Sequence, residues 1–79
     1  MLIEVENRRY EIITASDVIR DGLGCELWDA DKNQLLVEIF RNDNLKKIQF
    51  NSSEMDVPFE VIEKLIKTFE ERVGKEFQD

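Results

Sequence analysis

The chain has 79 residues and no histidine, one cysteine, one proline and three glycines. Without histidine, the side chain that most often moves protons near neutral pH is missing, and so is the commonest metal ligand. A lone Cys25 makes neither an internal disulfide nor a cysteine-based zinc site. Apolar runs reach only three residues, as in Leu35-Leu36-Val37, so nothing here reads as a membrane span. Cations are outnumbered, 11 Lys+Arg against 18 Asp+Glu, which leaves a net charge of −7. That charge disfavours a general affinity for phosphate backbones or anionic lipid.

Hydrophobic residues make up 42% and charged residues 37%, a composition that suits a small folded globule better than a disordered tail. No repeat, low-complexity tract or Pro/Gly-rich linker divides the chain, so 1–79 reads as one domain. The opening Met-Leu-Ile-Glu-Val-Glu carries acids where a secretory signal needs a basic stretch, and a cytoplasmic location is expected. Asn51-Ser52-Ser53 matches a glycosylation sequon but reads as a loop in that setting.

Alternating apolar residues predict strands over about 2–6, 9–15, 25–30, 34–40 and 45–50. A turn at Asn7-Arg8 would face Ile3 with Ile12 and Val5 with Tyr10. A loop at Asp31-Lys32-Asn33, with Asn33 left-handed, faces Leu27 with Val37 and Cys25 with Ile39, and on the other side Trp28 with Leu36 and Glu26 with Glu38. A third turn at Asp43-Asn44 faces Ile39 with Ile48 and Val37 with Phe50. Two independent turns thus put Val37 and Ile39 on one face, which predicts an antiparallel meander. Thr14–Gly24 is read as a loop, with an extended second strand and a single helical turn as alternatives. From Pro58 the period becomes 3.6, and Phe59, Ile62, Leu65, Ile66, Phe69 and Val73 form a stripe over about 58–73. Phe59, Leu65 and Phe69 are expected at its centre. The predicted fold is therefore α+β in two layers: a meander of four to five strands with one C-terminal helix on one face.

Candidate chemistry is sparse. Asp29-Ala30-Asp31-Lys32-Asn33 opens like a calcium loop, but Gln34 and Phe40 stand where that loop needs Gly and Glu. Gly22-Leu23-Gly24 lacks the third glycine and following helix of a dinucleotide loop. Cys25 shares the core face with Leu27 and has no base to activate it. Glu26 and Glu38 face each other without an implied pocket. The chain is not expected to be an enzyme or to hold a cofactor, metal or small-molecule ligand.

The sheet face away from the helix is the candidate site. Trp28, Leu36 and Phe40 are expected there, with Leu2 and Ile13 on the same side and Glu26, Glu38 and Asp29 as an acidic rim. Large side chains on an otherwise polar face suggest a contact surface, with Trp as a common anchor. The alternative is that Trp28 is covered within its own chain.

Glu26-Leu27-Trp28-Asp29, Val37-Glu38-Ile39-Phe40-Arg41 and Pro58-x-Glu60-x-Ile62-Glu63-x-Leu65-Ile66 together resemble a pattern in small uncharacterised bacterial proteins. The resemblance covers the C-terminal part of the chain. It implies a bacterial, cytoplasmic origin and brings no activity and no functional residues. The layout is also similar to that of Whirly and Pur-type single-strand binders, an analogy of fold alone. Arg41, Lys46 and Lys47 would be the nucleic-acid contacts on that view, against the acidic balance of the chain. The expected partner is another protein, docked by an adaptor-, inhibitor- or immunity-type module, or alternatively a second copy meeting the same face.

Overall fold

Residues 1–53 and 56–79 are described by the computed structural model. The chain runs through β1 (Leu2–Val5), β2 (Arg8–Asp17), β3 (Gly22–Asp29), β4 (Gln34–Asn42), β5 (Lys47–Ser52) and α1 (Phe59–Arg72). The strands lie side by side in sequence order, each antiparallel to the next, as an open sheet. The helix packs on one face, against β3 and β2. This is the α+β meander that the alternation of apolar residues predicts.

The turns account for the differences. Glu6 and Asn7 have φ of 54° and 63°, so the first turn lies one residue earlier than expected, in the left-handed pair that suits a two-residue hairpin. Ile3 then faces Tyr10, and Glu4 faces Arg9 instead of Glu11, which replaces a repulsive pair with an attractive one. Thr14–Gly24 is not a loop but the far half of a long hairpin, with β2 continuing to Asp17 and β3 starting at Gly22. Asp17 Oδ1 closes its tip by accepting the backbone N–H of Ile19 (3.0 Å) and Arg20 (3.2 Å). The last hairpin runs past the expected Asp43-Asn44 turn, because Asn42 Oδ1 accepts the Leu45 N–H (2.9 Å) and Lys46 takes the left-handed turn position at φ 56°. Ile39 consequently faces Phe50, and Arg41 faces Ile48.

Asn33 is left-handed as expected, and β3–β4 keeps the predicted register from Gly22 to Leu27. Beyond Leu27 the register slips by one residue: Leu27 faces Val37, while Trp28 faces Leu35. Leu36 is the extra residue of this β-bulge and turns inward with Val37. It is 1% exposed and belongs to the core with Tyr10, Ile12, Cys25, Leu27, Val37 and Ile39. The expected pairing of Leu36 with Trp28 on the outer face is therefore corrected to Leu35.

The helix presents Val61, Leu65, Thr68 and Phe69 to that core. Leu65 and Phe69 are central as predicted, but Phe59 is 73% exposed and Ile66 41%. Two apolar stripes run side by side on α1. The one spaced i, i+4, i+8 from Val61 meets the sheet, and Phe59, Ile62 and Ile66 form its flank. At its C-terminal end Gly74 turns at φ +82°, and its N–H and that of Val73 return to the Phe69 carbonyl (2.8 and 2.9 Å). Arg41 reaches from β4 to donate Nη1 to the carbonyls of Val73 (2.6 Å) and Gly74 (3.3 Å). Its Nε is held by Asp43 Oδ1 (2.8 Å), which also accepts the Gln78 N–H (3.0 Å).

Arg41→Met leaves a buried Asp43 carboxylate without its counter-ion and frees the helix carbonyls. The urea midpoint is expected to fall with the slope of the transition unchanged. A methyl group on Gly24 would lie 2.7 Å from the Ile39 carbonyl oxygen and 3.0 Å from the Phe40 ring. Gly24→Ala is expected to destabilise by about 1–3 kcal/mol, in the same experiment, by forcing β3 and β4 apart.

Candidate functional site

The sheet face away from α1 divides into two halves with different chemistry. Toward the β2–β3 tip, the Phe40 ring lies flat over Gly22 and Gly24, which have no Cβ to stand in its way. The Arg20 guanidinium covers the other side of the ring, 3.8 Å from its centroid. Arg20 is itself fixed by Asp17 Oδ2 (2.6 Å from Nε) and by both oxygens of Glu38 (3.0 and 2.7 Å from Nη1 and Nη2). Asn51 Nδ2 donates to Glu38 Oε1 (3.2 Å). The guanidinium holds the Glu38 and Asp17 carboxyls below their ordinary range, and the two acids raise Arg20 in return. This half is a closed, charge-satisfied layer.

The other half is open. Trp28 is half-buried in β3, between Glu11 of β2 and Leu35 of β4, and Leu2 lies across Glu11. Its Nε1–H donates to Glu26 Oε1 (3.0 Å), which fixes the indole and spends its one polar group within the chain. Leu2, Ile13 and Leu35 are exposed around it, with Glu26 opposite Ile13.

Of the residues expected at this surface, Trp28 and Glu26 occupy it. Phe40 is on the right face but 1% exposed beneath Arg20. Leu36 is in the core, and Glu38 is a buried partner of Arg20 instead of a rim acid. Asp29 is also buried: it accepts Arg8 Nε and Nη2 (3.1 and 2.9 Å) and the N–H groups of Asp31 and Lys32 (3.0 and 2.9 Å). The Lys32 N–H is the chief cause of its lowered carboxyl pKa, with Arg8 adding to it. Leu35 and Arg20 were not anticipated. A bulge decides which of two adjacent leucines faces out, and the only signal for Arg20 is a Gly-x-Gly strand opposite an aromatic residue.

The remaining candidates separate. Arg41 is buried under the helix terminus, Lys46 reaches Gln78 O (3.3 Å) and Asp79 (3.4 Å), and Lys47 pairs with Asn42 on the outer face, so the three do not share one surface. Cys25 is buried, and that burial pushes its thiol pKa up. Among the described residues, no group of three or more His, Cys, Asp or Glu side chains is placed to hold a metal ion. No helix among them is long and apolar enough to cross a membrane. Val18 and Ile19, 91% and 97% exposed at the β2–β3 tip, are the most solvent-exposed large apolar side chains described.

The lowered carboxyls fix the sign of the acid response. A carboxyl whose folded pKa lies below its unfolded value stabilises the fold above the unfolded value, about 4, and loses that contribution as pH falls through the folded one. Stability is therefore expected to decline below about pH 4. Arg20→Met is expected to flatten that decline, since it returns Glu38 and Asp17 toward ordinary values. Urea unfolding at a series of pH values reads both slopes.

Comparison with protein-family models, with curated proteins and with solved structures finds no match to this chain.

Proposed function

We propose that this domain is a small acidic protein-binding module, without catalytic chemistry of its own, that docks a basic partner through the open half of the outer face. The observation that carries this reading is the contrast between the two halves of one sheet face. One half is closed by Arg20 over Phe40, while the other leaves Leu2, Ile13 and Leu35 uncovered around an indole already anchored by Glu26. An anchored aromatic with apolar neighbours loses little rotamer freedom on contact, as a binding anchor should. Glu11 and Glu26 are interleaved with the apolar residues, and the chain's charge of −7 speeds encounter with a cationic surface.

The test uses Ile13→Lys with Leu35→Lys, two substitutions at exposed positions that reverse the local charge while leaving the core untouched. The reading expects a circular dichroism spectrum like the wild type's and loss of the proteins that co-purify with the wild-type chain. An unchanged co-purification pattern from the folded double variant would sink it.

A further inference from the structure

A second uncovered surface lies on the helix side, at the far edge of the sheet. Lys64, Lys67 and Thr68 turn one flank of α1 toward Met1 beside β1, so the opposite flank, with Ile62, Ile66 and Phe59, faces β4 and β5. On the sheet below, Ile48 and Phe50 stand on the helix side, opposite Arg41 and Ile39, and are 41% and 57% exposed. A trough with an apolar floor and wall thus runs along an edge strand.

The backbone of that edge is equally open. Ser53 N–H bonds to the Leu36 carbonyl (2.8 Å), so in the alternation of an antiparallel ladder Lys47, Gln49 and Asn51 direct their peptide groups to β4. Ile48 and Phe50 direct theirs outward, where no described strand pairs with them.

We infer that β5 is the seam of a symmetric homodimer, in which a second copy of this chain adds its own β5 antiparallel to the first, with the two-fold axis at Gln49. Two features select a second copy as the occupant. The register is self-complementary: Ile48 faces Phe50 of the second copy and Phe50 faces its Ile48, with all four peptide groups in hydrogen-bonding positions and all four side chains in one trough. The area is sufficient: Phe50 and Phe59, 57% and 73% exposed, with Ile48 and Ile66 from both copies, offer on the order of 1,000 Å² with the strand edges, which meets the lower bound for a specific interface.

Sedimentation equilibrium from low micromolar to near-millimolar concentration tests the seam. The wild type is expected to dimerise, and Phe50→Lys to raise the dissociation constant at least ~10-fold, as loss of a central anchor does. Phe50→Pro removes an outward N–H that the fold does not use and is expected to give a folded monomer. Register is read separately. Gln49 meets its own counterpart in a non-hydrogen-bonded pair, about 4.5 Å between Cα atoms, which suits a disulfide. Gln49→Cys is therefore expected to form a covalent dimer under mild oxidation, and Lys47→Cys, which faces Asn51 of the second copy, is not. A wild type that stays monomeric at every concentration overturns the inference. So does a dimer that Phe50→Lys leaves intact, or a β5 that binds only a different protein. None of these outcomes bears on the Trp28 surface, which lies on the other face.

Discussion

One 14-residue helix has to shield a sheet five strands wide, and most of what is unusual in this domain follows from that mismatch. Strands spaced about 4.8 Å apart make the sheet roughly 20 Å across, whereas a helix with its side chains is about 10–12 Å in diameter. The helix lies over β2 and β3, where Cys25, Leu27, Ile12 and Tyr10 meet Val61, Leu65 and Phe69. Arg41 holds its C-terminal end in place from β4.

Everything beyond that shadow has to be covered by other means or left open. On the outer face the chain builds a substitute layer from a single aromatic ring. Phe40 lies against two glycines and is roofed by Arg20, whose charge is neutralised by Asp17 and Glu38. The glycines that weaken β3 by propensity are the ones that let the ring lie flat on the strand. The layer stops short of Trp28, and on the helix side cover stops short of β5. Both open surfaces lie beyond the reach of the one helix and the one roofed ring.

The faces of the strands were legible in the sequence because most errors of register came in steps of two. Moving the first turn from Asn7-Arg8 to Glu6-Asn7 changes the partner of Ile3 from Ile12 to Tyr10 but leaves both on the core side. The same holds for Ile39, which meets Phe50 in place of Ile48. The one error of a single step, at the Leu36 bulge, exchanged an outer leucine for an inner one. The helix misled differently: Phe59 and Leu65 both fit a 3.6-residue period, and only the position of α1 over the sheet decides which stripe is buried. Trp28 and Glu26 could be placed from alternation alone. The covering of Phe40 could not, because it depends on a turn folding back across two strands.

The environment of Cys25 has a practical reach of its own. The only thiol of the chain lies in the innermost layer, between β3 and the helix, with Thr14 as its polar neighbour at 3.9 Å. A thiol-directed reagent in solution can meet it only when the sheet and helix part. Its labelling rate is therefore a clock for opening of the core. The domain carries that reporter natively, silent while the core stays closed.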